Sequence, residues 1–417
     1  MKRKPVTAIL LAAWLPLVGM AAGQKMALAT TGVDAPLVVD WTRRVLERQP
    51  ERKLLQGYAE LARETRDAGA NVLGNLGVSL RHENYRLSDS QGLVTWEGGV
   101  DLPLKVLRQK QVFSELVARY PELERAHADW LYWQAAGIAR SLYDDLLERR
   151  TRRDHAREAQ RQSQRLFDVV KTQVEAGDAS RLDLLLAERN LSQARRRVVE
   201  AEGALRQAIE VARLWGIDVD EPALAALATP PVPTRVDAPL QLAEHPHHRW
   251  VEQRGAVALA RGAIDLWSQR SSTELFVGSR HDALPGGPSD TALLLELRVP
   301  LGDNPEYQRA RAERDRDRRE REAELATTDR ELRQRLVEAR EALQRWQALL
   351  PLARDQYQAA RKALALSVQS WKAGEIGLQE LLIVQQQEND ARLQLGLVRA
   401  GLSRRIHAFQ QAVGILP

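Results

Sequence analysis

The 417-residue chain has no cysteine, which excludes disulfides, thiolate metal sites, iron–sulfur clusters, cysteine nucleophiles and an acylated lipoprotein cysteine. Aromatic residues make up only 5% and glycine numbers only 25, while Ala, Leu, Glu, Gln and Arg abound; this is the composition of long helices. A surplus of one charge is also missing. The formal +5 falls to about +1 once Lys2, Arg3, Lys4 and Lys25 of a removable leader are set aside, so no net pull toward nucleic acid remains. Beyond residue 22 no stretch reaches the ~20 apolar residues of a spanning helix. At 44% hydrophobic and 28% charged, the chain is too apolar for disorder and long enough for one large domain or two to three ordinary ones. It has no nucleotide loop, nucleophile elbow or zinc-protease helix. The basic runs Arg149–Arg153 and Arg195–Arg197 have no aromatics between them to stack on bases. Neither an enzyme nor a nucleic-acid binder is expected, and no cofactor.

Residues 1–29 read as a secretory signal peptide. Lys2-Arg3-Lys4 precede the apolar run Val6–Ala22, and Ala27-Leu28-Ala29 forms a small-residue cleavage site. An uncleaved anchor is the alternative, opposed by the short run and by Pro16.

The remainder is an internal duplication with a period near 197. Ala176-Gly177-Asp178 with Asp183-Leu184-Leu185 returns as Ala373-Gly374-Glu375 with Glu380-Leu381-Leu382, and Leu102-Pro103-Leu104 returns as Val299-Pro300-Leu301. Gln49-Pro50 returns as His245-Pro246, and Gly216-Ile217 as Gly414-Ile415. Two units result, 41–217 and 239–415, joined by a proline-rich linker at 218–238. Each has an opening helix, an alternating hairpin (about 75–104; 273–301), a long helix (105–174; 304–372), a glycine turn and a second long helix (180–214; 378–412).

The long helices have the coiled-coil period. From Leu332 the positions Leu336, Ala339, Leu343, Trp346, Leu350, Ala353, Tyr357, Ala360, Leu364, Ser367 and Trp371 advance by fours and threes without a slip. Such a helix reaches ~100 Å at 1.5 Å per residue, with a kink expected at Pro351. In the hairpins, Val94, Trp96, Gly98, Val100 and Leu102 alternate with Thr95, Glu97, Gly99 and Asp101, and Leu293, Leu295, Leu297 and Val299 with Leu294, Glu296 and Arg298. One apolar and one charged face is the transmembrane β-barrel pattern. Four strands cannot close a barrel, and lipid forbids an open edge, so several chains would have to share one. The soluble reading is a small periplasmic sheet capping a helical bundle.

The signal peptide, the duplication, the hairpin-then-long-helix order and the turns Glu175–Leu185 and Lys372–Leu382 together resemble the TolC family of outer-membrane efflux ducts, over essentially the whole mature chain. The resemblance implies a mainly α chain with a transmembrane β part. It implies a homotrimer whose chains each give four strands to a 12-stranded barrel in outer-membrane lipid, continued by an α-helical tube through the periplasm. It also implies a periplasmic adaptor and an inner-membrane pump as partners. The short loops and the Thr95–Leu104 strand look most like the heavy-metal branch serving resistance–nodulation–division pumps. Gly177, Asp178, Gly374 and Glu375 would form the helix-turn tip where the adaptor docks, the two acids starting the next helices. Asp183 and Glu380 match positions where relatives carry acids near the pore constriction, and Glu380 would join its symmetry mates in an acidic ring. Trp371 stands where relatives often have a gate tyrosine, and Ile376 and Ile383 depart from the family's polar residues, which thins both the ring and any tyrosine–arginine–aspartate latch.

Other clusters read more plainly. Proline breaks the helical spacing of His245-Pro246-His247-His248, so surface polarity is expected there rather than a zinc or copper relay. The mixed charges of Arg309–Glu322 read as a solvated helix face. The competing class is a periplasmic coiled-coil scaffold or adaptor without a barrel, and the competing cargoes are drugs or a secreted protein.

Overall fold

The computed structural model describes residues 36–71, 76–85, 92–104, 107–233, 240–270, 273–302 and 304–417. The expected leader and part of the linker, 234–239, lie outside these residues.

Helices α1 (Pro36–Arg48) and α2 (Leu54–Ala70) open the chain, followed by strands β1 (Gly77–Asn84) and β2 (Val94–Leu104). The long helix α3 (Leu107–Ala176) then returns as α4 (Arg181–Leu214), and the linker carries a short helix α5 (Glu221–Ala226). The second unit repeats the plan with α6 (Pro246–Ser268), β3 (Thr273–Ala283), β4 (Ser289–Arg298), α7 (Pro305–Lys372) and α8 (Leu378–Val413). α3 has 70 residues and α7 has 68, so each is roughly 100 Å long.

The coiled-coil seam sets the packing. In α7, Leu332, Leu336, Leu343 and Ala353 are buried, and Ala339, Trp346, Leu350, Tyr357, Ala360, Leu364, Ser367 and Trp371 are half-buried. Small residues let the helices approach closely: a Cβ added at Gly401 of α8 would collide with the Trp346 indole. α7 packs on α8, α8 on α3 and α3 on α4, which leaves α4 and α7 as the two lateral edges. Both edges still show apolar side chains to solvent, Val199 and Leu214 on α4 and Val337, Leu352 and Leu366 on α7, each more than half exposed.

The four strands form one antiparallel sheet in the order β1-β2-β3-β4, so β1 and β4 are its free edges. The register sets Leu102 opposite Leu275, Val100 opposite Val277 and Trp96 between His82 and His281. These line one face with Val78, Leu80, Leu293, Leu295 and Leu297, the last five 61–85% exposed. The other face is polar and carries Arg81, Glu97, Asp101, Glu274, Glu296 and Arg298. Phe276 lies on that polar face over Gly99 and Gly278, where any Cβ would strike its ring.

Two features were not read from the sequence. Helix α1 was not anticipated; Val38, Trp41 and Val45, at helical spacing, bury its apolar stripe against Ala139, Tyr143 and Leu146 of α3. The described part of the linker is a strap fastened along α3. The Tyr143 hydroxyl donates to the Ala228 carbonyl at 2.9 Å, and Arg150 Nη1 donates to the carbonyls of Leu224 (2.7 Å) and Leu227 (2.9 Å). As the sequence reading has it, helix α7 runs on past Pro351, and α3 likewise contains Pro121; both prolines lie on exposed faces, where water can serve the carbonyl that loses its amide.

Candidate functional site

The end of the molecule farthest from the sheet is built by two glycine turns of related chemistry. α3 ends at Gly177, whose φ of +86° costs glycine nothing. The Asp178 amide then bonds the Gln173 carbonyl at 2.8 Å, the long bond of a Schellman motif. α7 ends identically: Gly374 has φ +77° and the Glu375 amide bonds the Ser370 carbonyl at 2.9 Å. Asp178 and Glu375 therefore close the preceding helices. They do not begin the following ones, a correction to the dipole role expected for them, because each turn extends three residues past its glycine. The first acids inside the next helices are Asp183 and Glu380, each at the third helical position.

These two acids differ in their surroundings. Asp183 is held in a capping box: its Oδ2 accepts from the Ser180 hydroxyl at 2.6 Å and the Ser180 amide at 3.1 Å, while its own amide donates back to Ser180 Oγ at 3.1 Å. At the second tip the residue in the Ser180 position is Gly377, which has no side chain to offer, and Glu380 is exposed. Among the described residues no hydrogen bond or ion pair reaches the Glu380 carboxylate. Of the two acids at the third helical position, Glu380 is exposed and Asp183 half-buried.

Trp371 belongs to an apolar cluster that ties the tips together. It packs with Val170 of α3, Ala187 of α4, and Leu378 and Leu381 of α8. Beside the cluster an open groove of about 450 Å³ runs between α3 and α7, with Leu166, Leu364, Val368 and Trp371 on its walls and Arg165 and Lys372 at its rim.

The histidine cluster is not surface polarity. His245 is 1% exposed and His248 9% exposed, at the start of α6 against α3, α7 and α8. Burial pushes the His245 imidazole down to about 4, helped by the nearby His247 and His248. The sequence repeat, which sets His245 opposite the equally buried Gln49, was the signal that could have shown this. Among the described residues no group of histidines and carboxylates is arranged to hold a metal ion, and no helix is long and apolar enough to cross a membrane.

No family model and no curated protein sequence matches this chain. Solved structures do. The outer membrane protein VceC from Vibrio cholerae superposes with a TM-score of 0.66 at 11% identity, covering 90% of this chain and 96% of that one. CusC, described in connection with transmembrane channel formation, gives 0.65 at 14% identity, covering 94% and 95%. The Campylobacter jejuni CmeC outer membrane channel gives 0.60 at 12% identity, covering 98% and 94%. The chain has the TolC-like fold of these channels, mainly helical with a small sheet.

Proposed function

We propose that this protein is the outer-membrane duct of a tripartite efflux system, a homotrimer conducting solutes passively from the periplasm to the exterior. The single observation that carries the reading is the pair of unfinished edges. One lateral side of the chain ends in β1 and α4, the other in β4 and α7. Both sides leave strand amides unpaired and apolar helix residues exposed. Copies joined β4 to β1 and α7 to α4 around an axis satisfy both edges at once, and the exposed apolar sheet face then meets lipid while the polar face lines the lumen. A soluble scaffold gives no account of a sheet whose apolar face is the exposed one. The adaptor and an inner-membrane pump of the resistance–nodulation–division class would dock at Gly177, Asp178, Gly374 and Glu375, and the pump would supply the energy. Cross-linking of the detergent-solubilised protein should give a trimer, and planar bilayers should show discrete conductance steps; a monomer without conductance would sink the reading.

Heavy-metal cations are the proposed cargo, on the resemblance of the Thr95–Leu104 strand and on the exposed Glu380. Deleting the gene should sensitise the host to cobalt, zinc, cadmium, copper or silver. Sensitivity confined to dyes, detergents and antibiotics would reassign the duct to drugs.

The acidic ring has its own test in the repeat. Glu380→Ala should reduce cation over anion permeability in single-channel recordings without loss of trimer. Gly377→Ser should reproduce part of that effect by a different route. Its backbone is extended at φ −77°, ψ 162°, and a Cβ there meets nothing within 4 Å, so the serine would cap α8 and draw Glu380 into a box like that of Asp183. Its local stabilisation is only about 0.3 kcal/mol, because glycine is itself a tolerated N-cap. Unchanged selectivity in both variants would remove the ring.

A further inference from the structure

The end of each repeat unit folds back onto its own beginning. α4 terminates at Gly216 (φ +75°), where a Cβ would lie 3.2 Å from Arg48 Nε, next to Gln49. α8 terminates at Gly414 (φ +85°), where a Cβ would lie 2.8 Å from His245 Cδ2 and 2.9 Å from Pro246 Cδ. The two joints share their glycine geometry, with Ile217 and Ile415 amides bonding Ala212 and Gln410 carbonyls at 3.2 and 3.0 Å. They differ in the side chain that meets the glycine: at the first joint it is Arg48, and the neighbouring Gln49 makes no side-chain cap, whereas at the second it is the His245 imidazole.

His245 does a specific task there. It is the N-cap of α6, and its Nδ1 accepts the His247 amide at 3.1 Å, which requires that nitrogen to carry no proton. Its ring meets Trp133 of α3 edge-on at 5.2 Å, and His247 stacks on the same indole at 5.8 Å. The other groups near it are mostly poor hosts for a cation. From α6 come His247, His248 and Arg254; from α7, Arg335 with Glu331; from α8, the Gln411 backbone. Asp329 of α7 is engaged 3.3 Å from His248 Nε2, Asp129 of α3 pairs with Arg249 at 3.1 Å, and Glu244 in the preceding turn is exposed. A proton on His245 Nδ1 would abolish the cap and set a positive charge at the positive end of the α6 dipole.

We propose that the contact of His245 with the α8 terminus is a proton-sensitive joint, closed when the cap nitrogen is bare and released when it is protonated, whereas the Gly216 joint of the first unit, where no imidazole meets the glycine, is its counterpart. The direction follows from the burial of the ring. With its protonation held down to about 4 in the packed form against an ordinary 6.5, the joint is at full strength above pH 6.5 and weakens as the pH falls toward 4. At pH 5 the opening equilibrium is raised about 30-fold over that at pH 7.5. The released element is α8, whose other end carries Glu380.

Hydrogen exchange of the purified full-length protein, read as protection factors so that the intrinsic pH dependence cancels, tests this. Amides of 247–250 and 411–416 should lose about 30-fold in protection between pH 7.5 and 5, while those of 51–55 and 213–218 hold steady. His245→Asn, a cap at any pH, and His245→Gln, the residue at the matching position of the first unit, should each flatten the response. Either variant suffices if the other fails to fold. Equal protection at both pH values in the wild type would overturn the proposal. So would an undiminished loss in the folded variants, or a matching loss at the Gly216 joint.

Discussion

Leu295→Arg is expected to remove the protein from the outer-membrane fraction while its helices still form. Leu295 sits in the middle of β4 opposite Val277, 72% exposed, within the apolar row that includes Leu293 and Leu297. An arginine facing lipid near the bilayer midplane costs about 2–4 kcal/mol, and a three-fold assembly incurs it three times. The neighbouring Glu296 points to the polar face, so Glu296→Gln is the control that should fractionate normally. Density-gradient fractionation with immunoblotting reads the outcome, and circular dichroism of any soluble material confirms that the helices survive. If Leu295→Arg trimers reached the outer membrane in wild-type amount, the exposed apolar face would not be a lipid face, and the β4-to-β1 closure of the barrel would lose its main support.

How much of this was legible depended on whether a feature repeats locally. The seam of α7 could be read residue by residue from Leu332 to Trp371 because a coiled-coil stripe recurs every few positions, and each of those side chains is buried or half-buried. The strands were legible for the same reason at period two. What the sequence hid were contacts that pair residues far apart. The His245 cluster read as exposed because only tertiary packing from α3, α7 and α8 buries it. Asp183 and Glu380 read as equivalents, and the difference between them lies three residues upstream, where one unit has Ser180 and the other Gly377. Asp178 and Glu375 were placed on the wrong side of a helix boundary because the length of a glycine turn is fixed by its Schellman bonds. Helix α1 escaped because it is a short helix of 13 residues ahead of the first unit, and the strap across α3 escaped because its fastening depends on Tyr143 and Arg150, far away in sequence, binding its carbonyls.

The largest loss of stability is expected from Asp144→Ala, in a contact that no local pattern announces. Asp144 of α3 is 2% exposed and accepts from the Ser403 hydroxyl at 2.7 Å and from His407 Nδ1 at 3.0 Å, both on α8 and more than 250 residues away. One turn earlier Arg140, also 2% exposed, donates to Gln411 Oε1 at 2.7 Å and to the Ile415 carbonyl at 3.0 Å. These bonds join the first unit to the second, whereas the α3–α4 and α7–α8 hairpins each hold together by their own seams. Removing the carboxylate takes an acceptor from two buried groups at once, at a cost of about 3 kcal/mol or more. By contrast, Asp40→Ala breaks an exposed pair with Arg44, 2.8 Å apart on the surface of α1, and should cost less than about 1 kcal/mol. Asp144→Asn keeps one oxygen and should fall between them. Thermal unfolding of the detergent-solubilised protein by circular dichroism ranks the three. If Asp144→Ala unfolds no earlier than Asp40→Ala, the units are held together by apolar packing and the equatorial strap, and the buried polar contact merely selects the register in which α3 meets α8.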